Sequence, residues 1–372
     1  MKKTVFFIIT LALLLPACNR EAMPGPGEAV VHINVSLIED DVATKFPITG
    51  SSFSAYSPVD HSGTYGIFVC LNGTTDTAHK LNSWNIMARY ATEDNCLFYY
   101  VASLSSGEVA STGYNHITLT KRDLDNKSAD LYAYAPYTLS AYANGPTAIP
   151  YSITNNIATQ TDLMYAVENI TSDNTDLSPT SNEPLTATFT FKHAFSLLNF
   201  RFKLGNNGST CSLSDVTVRV IDPDSDGETT AKLYRSGTFN AITGTFNNDG
   251  LSPPSPLSVL LTDSGSSTPI PINSTSYDAS ANLMLVPTNV EDDELGFTFT
   301  VNGQTLQPFS LKASHLTRYE EDNTTPVDGT EGKLEGGYRY TFYFTLDNYL
   351  YLDGFTVGEW TTPLTPLGEQ EI

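Results

Sequence analysis

Most hydrophobic stretches of this chain place an apolar residue at every second position, which is the period of a β-strand, and helical periodicity is absent. Residues 30–37 alternate toward their end and are rich in β-branched side chains, and residues 338–346 alternate over most of their length. Shorter apolar stretches predict further strands at 65–70, 96–101, 187–191, 198–202, 216–220, 281–286 and 295–301. Because clusters of turn-forming residues separate these many short strands, the pattern predicts an all-β fold built from β-sandwiches.

One polar stretch near the middle of the chain divides these strands into two groups. Residues 171–184 are nearly free of core-forming side chains, as is typical of a linker between domains. The chain is long enough for two domains, each with its own core. We therefore predict an N-terminal β-sandwich domain at 29–182 and a C-terminal one at 183–372.

The start of the chain has the pattern of a secretory signal. Two lysines follow the first methionine, and a short apolar run then leads to Ala17 and Cys18. A small residue directly before a cysteine fits the lipobox of bacterial lipoproteins, which predicts a signal peptide at 1–17 and a lipid on Cys18. Residues 18–28 then form a flexible tether. An ordinary signal peptide cut near Ala17, with Cys18 incidental, is the alternative.

Charge and cysteine content restrict the class of protein. Lys and Arg number 19 against 41 Asp and Glu, a net charge of −22, which argues against a nucleic-acid partner. A lipid anchor implies an oxidising compartment, where disulfides persist. Apart from Cys18 the cysteines are Cys70, Cys96 and Cys211. One Cys70–Cys96 bridge fits this odd number, but the sequence favours buried free thiols.

Catalytic motifs are missing from the sequence. It contains no Gly-rich phosphate loop, no nucleophile elbow, no HExxH and no CxxC pair, and its six histidines are scattered. His193 lies beside an apolar strand, which favours a packed, hydrogen-bonded histidine over a metal ligand. We therefore predict neither an enzyme nor a cofactor.

The segment that most resembles a metal site is an acidic turn. Asp222, Asp224 and Asp226 alternate before Gly227, like the first half of a calcium loop. Leu233 stands where that loop needs a bidentate glutamate. We therefore interpret the segment as an acidic turn between two strands, with a weak calcium-like site as the alternative.

Several short motifs, read in order, resemble the fimbrillin family, the lipoprotein-derived pilins and accessory subunits of Bacteroidetes-type bacteria. They extend over nearly the whole mature chain behind the lipobox. The motifs are YGIFV at 65–69, LYAYAPY at 131–137, TDLMYA at 161–166, FTFKHAFSLL at 189–198, GTFN at 237–240, TGTF at 243–246, LMLVP at 283–287, GYRY at 337–340 and GEW at 358–360. The resemblance implies two transthyretin-like β-sandwich domains in tandem.

The same resemblance implies a route of assembly. A lipidated precursor reaches the outer membrane, and a trypsin-like protease cuts it after an Arg or Lys. The cut frees the first strand, here 30–37, and a strand of the neighbouring subunit fills the groove, a form of β-augmentation. Lys45 is the first basic residue after that strand, so it becomes the processing hypothesis, with an ordinary loop lysine as the alternative. Family analogy places the donor strand at 349–357.

The predicted function is thus a structural subunit of a cell-surface pilus, in a shaft, tip or anchor position. Its partners would be other pilin subunits, the outer membrane through the lipid, the protease, and a host or bacterial surface ligand. The alternative is a surface glycan-binding lipoprotein, in which Tyr132, Tyr134 and Tyr137 stack on sugars. A secreted hydrolase has no specific support.

Overall fold

The structure is a computed structural model of the 372-residue chain. It describes residues 28–37, 64–71, 85–91, 96–100, 118–120, 128–154, 160–171, 185–206, 208–226, 228–248, 257–260, 269–320, 325–347 and 349–360.

Nine strands and one short helix make up the first half of the described chain. The helix α1 (Ala141–Asn144) continues into a 3₁₀ turn at Gly145–Thr147. The strands are β1 (Glu28–Leu37), β2 (Thr64–Leu71), β3 (Ile86–Ala91), β4 (Cys96–Tyr100), β5 (Thr118–Thr120), β6 (Ser128–Ala135), β7 (Ile149–Ser152), β8 (Met164–Thr171) and β9 (Leu185–His193).

All of these strands except β7 form one eight-stranded sheet. Its order is β4-β3-β2-β6-β8-β9-β1-β5. β1 also pairs with β4 through Asn34 and Cys96. The strands from β4 to β1 therefore close into a ring.

The second half contributes fourteen strands of the described chain and a 3₁₀ turn at Ala313–Leu316. The strands are β10 (Ser196–Leu204), β11 (Cys211–Val220), β12 (Ser236–Asn240), β13 (Thr245–Asn247), β14 (Leu257–Leu260), β15 (Ile270–Ile272), β16 (Ala279–Leu285), β17 (Thr288–Asn289), β18 (Leu295–Val301), β19 (Gln304–Thr305), β20 (Phe309–Ser310), β21 (Lys333–Leu334), β22 (Tyr338–Leu346) and β23 (Leu350–Glu359).

Two sheets of this half pack face to face. The four-stranded sheet has the order β16-β10-β22-β23, and the six-stranded sheet joins β14, β11, β18 and β19, with β15 on β11 and β20 on β18. Alternate residues of β10, such as Phe200 and Phe202, are buried against Phe297 and Phe299 of β18. Side chains at every second position of strands from both sheets thus pack in one core, as in a β-sandwich.

A second hydrophobic cluster connects the two halves of the chain. β7 pairs with β12, which in turn pairs with β13, in a three-stranded sheet. Apolar residues from both halves, including Tyr134, Leu163, Phe195 and Trp360, pack in this cluster. The halves are therefore joined by a strand pairing as well as by side-chain contacts.

The all-β prediction is confirmed, and the predicted strands recur with ends that shift by up to five residues. β9 follows the predicted boundary at 182/183 in sequence, yet it pairs with β1 and β8 of the first half. The division into two domains at that boundary stays a prediction. In the part of the chain that is described, the helices are too short and insufficiently apolar to span a bilayer.

Candidate functional site

The first strand, β1, is the element to which the assembly hypothesis points. It runs parallel to β9 over seven residue pairs, from Val31 opposite Leu185 to Leu37 opposite Phe191. Its start, Glu28–Val30, pairs antiparallel with β5. β1 therefore lies inside the sheet and is not an edge strand of it.

β9 depends on β1 for most of its backbone pairing. On its other side, β8 pairs with β9 only at Met164–His193 and Tyr165–Lys192. Within the described chain, residues 185–191 of β9 thus find their strand partner in β1. Loss of β1 would turn this part of β9 into an edge with unpaired N–H and C=O groups, which readily accepts another strand.

Aromatic side chains of β9 line the same region. Phe189 and Phe191 are fully or almost fully buried, and the Tyr65 ring of β2 lies 5.3 Å from the Phe191 ring. Val35 and Leu37 of β1 are the register partners of Phe189 and Phe191. A strand that replaces β1 here would therefore need apolar residues at alternate positions.

β23 is an edge strand of the four-stranded sheet. It pairs with β22 from Tyr338–Glu359 to Leu346–Leu350, with an irregularity at Tyr343–Phe344. Its opposite side has no strand partner among the described residues. Tyr349 and Tyr351 are 71% and 51% exposed, whereas Phe355 and Val357 pack against the core. β23 thus combines an edge without a strand partner in the described chain with apolar side chains that alternate on either side of the irregularity: Leu350 and Leu352 before it, Phe355 and Val357 after it.

The proposed lipid site and cutting site, Cys18 and Lys45, lie outside the described residues, so both stay predictions. The acidic turn is described and lies between β11 and β12. One ligand atom from each of Asp222, Asp224 and Asp226 lies within 4.8 Å of the others. Asp222 Oδ1 also accepts the backbone N–H of Ser225 at 2.8 Å, and Asp226 Oδ1 accepts that of Glu228 at 2.8 Å. The interpretation as an acidic turn stays a prediction.

Comparison with known proteins identifies the family. Residues 110–360, more than half of the chain, match the model of a family described as fimbrillin-like. The chain belongs to the fimbrillin-like family. Comparison with curated proteins gives no match.

One solved structure shares the fold of this fimbrillin-like chain, and two further solved structures are reported beside it as similar. A candidate cell adhesion protein from Bacteroides ovatus is 15% identical, with 90% of this chain and 98% of that chain aligned and a TM-score of 0.52. The tip fimbrial protein Mfa3 from Porphyromonas gingivalis is 10% identical, with coverages of 90% and 100% and a TM-score of 0.44. A fimbrial protein from Bacteroides vulgatus is 11% identical, with coverages of 90% and 100% and a TM-score of 0.42.

The tyrosines considered for glycan binding are largely core residues in this fimbrillin-like chain. Tyr132 and Tyr134 are buried, and Tyr137 is half-buried. The Tyr134 hydroxyl donates to Asn85 Oδ1 at 2.7 Å and accepts the Thr138 backbone N–H at 3.2 Å. Its ring lies so close over Gly66 that a Cβ there would overlap it. Tyr132 and Tyr134 therefore pack in the core and do not present a ring face to a sugar.

His193 is packed and hydrogen-bonded, as the sequence predicted. Its Nδ1 pairs with Oδ2 of Asp162, and its ring stacks on Trp360 with centroids 3.9 Å apart and an interplanar angle of 17°. These residues come from three motifs that the sequence analysis treated separately. The sequence did not predict the contact of Asp162, His193 and Trp360, because residues so far apart in sequence give no sign that they are close in space. Their presence in three motifs of one family was the available signal.

Two cysteines are buried free thiols, which confirms the sequence interpretation for Cys70 and Cys211. Burial, helped by the nearby Asp130 carboxylate, raises the pKa of the Cys70 thiol to about 11, and burial raises the pKa of the Cys211 thiol. Neither forms the thiolate readily, and the thiolate is the reactive species.

We therefore expect both thiols to be inert in the folded protein. In a soluble chain without Cys18 and with Cys96→Ser, a thiol reagent at pH 8 should label neither residue, because only about a thousandth of Cys70 is ionised there. Labelling of both in urea is the control. Rapid modification of Cys70 in the native protein, followed by mass spectrometry, would contradict its burial.

Proposed function

We propose that this chain is a structural subunit of a cell-surface pilus, exported as a lipoprotein on Cys18 and assembled by β-strand donation. A protease with trypsin-like specificity would cut the precursor and release β1. A strand of a neighbouring subunit would then pair with β9 in its place. The subunit occupies a shaft, tip or anchor position, and its activity is structural rather than catalytic.

The observation that carries this proposal is the pairing of β9. β1 provides the strand partner of 185–191, and buried Phe189 and Phe191 lie in that stretch. Withdrawal of β1 would expose both a backbone edge and aromatic surface. Such a surface is unstable in water, so it favours uptake of a replacement strand from another subunit.

Lys45 is a suitable cleavage site because it lies between β1 and β2 in the sequence. β1 ends at Leu37 and β2 begins at Thr64, and Lys45 is the only Lys or Arg between them. A protease that cuts after basic residues can therefore separate β1 from β2 only there.

The donor strand in this proposal is the C-terminal segment 349–357. β23, which contains most of it, has one free edge and alternate apolar residues. β22 is its strand partner in the described chain, so moving β23 breaks one strand pairing together with the core packing of Phe355 and Val357. Strand donation between subunits creates main-chain hydrogen bonds along the whole donor, and interfaces of this obligate kind bury on the order of 2,000 Å² or more.

The remaining parts of the proposal concern organisation and location. Two transthyretin-like domains, divided near 182/183, would present the β1 groove and β23 on one subunit. The lipid would hold the precursor on the outer membrane at the cell surface. The partners are other pilin subunits, the processing protease, and a surface ligand of host or bacterial origin.

The test is the intact mass and N-terminus of the protein from native outer membranes. We expect a mature chain that starts at Phe46 and carries no lipid, found in polymers. Lys45→Ala should keep its lipidated Cys18 and form no polymers. A mature chain that keeps Cys18 in assembled pili would refute the cut.

Matched variants sharpen this result. Lys80→Ala removes the next basic residue along the chain, after β2, and should be processed like the wild type. Lys45→Arg keeps a basic residue and should also be processed. If Lys45→Ala is trimmed to the wild-type mass, Lys45 is not the processing site.

A further inference from the structure

Asp162, His193 and Trp360, here called the latch cluster, join three separate elements. Asp162 precedes β8, His193 ends β9 and Trp360 follows β23. All three are at least nine-tenths buried. The cluster therefore places the end of β23 directly on the end of β9.

Backbone hydrogen bonds reinforce the same junction. The Trp360 N–H donates to the Gly337 carbonyl at 2.8 Å, and the Gly337 N–H donates to the Phe195 carbonyl at 2.9 Å. The Ala194 N–H donates to the Leu163 carbonyl at 2.7 Å. The end of β23 is thus tied to the β9–β10 connection by main-chain and side-chain contacts together.

The Asp162 carboxylate makes this junction sensitive to the position of His193. Its Oδ2 pairs with His193, while its Oδ1 is buried without a hydrogen-bond partner in the described chain. A buried carboxylate that loses its partner is strongly destabilising. Displacement of His193 would therefore disrupt the whole cluster and not only one contact.

β1 ends close to this cluster. Leu37, its last residue, is the register partner of Phe191, two residues before His193. Because β1 and β9 are parallel, β1 ends at the same end of the sheet as the cluster. Among the strand pairings of the described chain, β9 without β1 would keep the two pairs with β8, one of which includes His193.

We infer that the latch cluster holds the end of β23 on β9 while β1 is in place, and weakens when β1 leaves. Removal of β1 thereby loosens β9, displaces His193 and frees Trp360 together with β23. This inference rests on the proposed function, since it couples the opening of the groove to the release of the donor strand.

The test follows the exposure of Trp360 by acrylamide quenching of its fluorescence. The full chain without Cys18 carries Trp84→Phe, which leaves Trp360 as the only tryptophan, and a site for a sequence-specific protease at Lys45. We expect weak quenching before the cut, and quenching close to that of the denatured chain after β1 is removed. Unchanged quenching in a cut chain that still polymerises would overturn the latch but leave the proposed function intact.

Variants provide the second readout. Trp360→Leu should make the cut protein polymerise about tenfold faster, the factor that corresponds to ~1.4 kcal/mol. Tyr319→Leu, at an exposed position outside β1, β9 and β23, is the matched control and should keep the wild-type rate. A purely structural role would lower the melting temperature without this acceleration.

Asp162→Asn tests the same coupling if Trp360→Leu fails to fold. It keeps the shape of the side chain and removes the charge paired with His193. We expect faster polymerisation here too, and equal or slower rates for both folded variants would overturn the inference. Failure of every chain to polymerise after the cut would instead count against the proposed function.

Discussion

A chain that lacks residues 349–372 is expected to be secreted and cut normally and to form no polymers. The deletion removes β23, the proposed donor, together with Trp360. β22 keeps its parallel partner β10 over eight residue pairs, from Leu197–Arg339 to Leu204–Leu346. The sheet thus retains three of its strands, while the free edge with alternate apolar residues is lost.

The matched control is a shorter deletion of residues 361–372. It leaves β23 and Trp360 in place and should keep polymer formation, which electron microscopy of surface appendages and native gels of outer-membrane extracts would reveal. Polymers of the chain that ends before Tyr349 would refute β23 as the donor. If the long deletion stays inside the cell, β23 is needed for folding and not specifically for assembly.

Phe200→Ala is expected to reduce the free energy of unfolding by ~3–5 kcal/mol, the usual cost of truncating a buried phenylalanine. Its side chain is fully buried at the centre of the sandwich. Ring centroids of Phe297, Phe299 and Phe342 lie 5.0, 5.4 and 5.9 Å from its own. The three remaining rings, which come from two sheets, cannot close the resulting cavity without moving the strands.

Urea unfolding monitored by circular dichroism measures this loss as a lower midpoint at an unchanged slope. Tyr351→Ala, at a half-exposed position of β23, is the control and should change stability by less than about 0.5 kcal/mol. A loss of less than ~1.5 kcal/mol for Phe200→Ala would mean that this ring is not central to the core.

The sequence was sufficient for the fold class because the period of the apolar residues is local information. Residues 295–301 and 338–346 alternate, and both stretches are strands with those bounds. When one face of a strand is buried, the alternation of apolar and polar residues is by itself enough to predict the strand. The alternation also marked β1, whose ends differ from the prediction only at Glu28 and Ala29.

Strand partners could not be predicted from the same pattern. β1 pairs with β9, and β7 with β12, across separations far larger than any hairpin. Alternation specifies which face of a strand is buried, but not which strand lies beside it. Such long-range pairing depends on the shape of the whole core, so β9 was expected among the strands of the second half.

The candidate functional site could be predicted only in part, because some of its contacts are also long-range. Cys18 and Lys45 are predictions from local sequence patterns that lie outside the described residues, whereas the predicted packing of His193 is seen in the structure. The contact of His193 with Asp162 and Trp360 brings together residues 31 and 167 positions apart, which no local rule connects. The family motifs showed that each of these residues belongs to a recurring sequence pattern. The structure adds that the three residues are in contact.

The two-residue link between β9 and β10 has a mechanical consequence. Only Ala194 and Phe195 separate the strands, so tension applied along β9 passes to β10 with almost no slack. β10 lies parallel to β22 over eight residue pairs, and a pull along it strains their hydrogen bonds together and not one after another. A filament of such subunits would therefore lengthen little under the tension that flow applies before it ruptures.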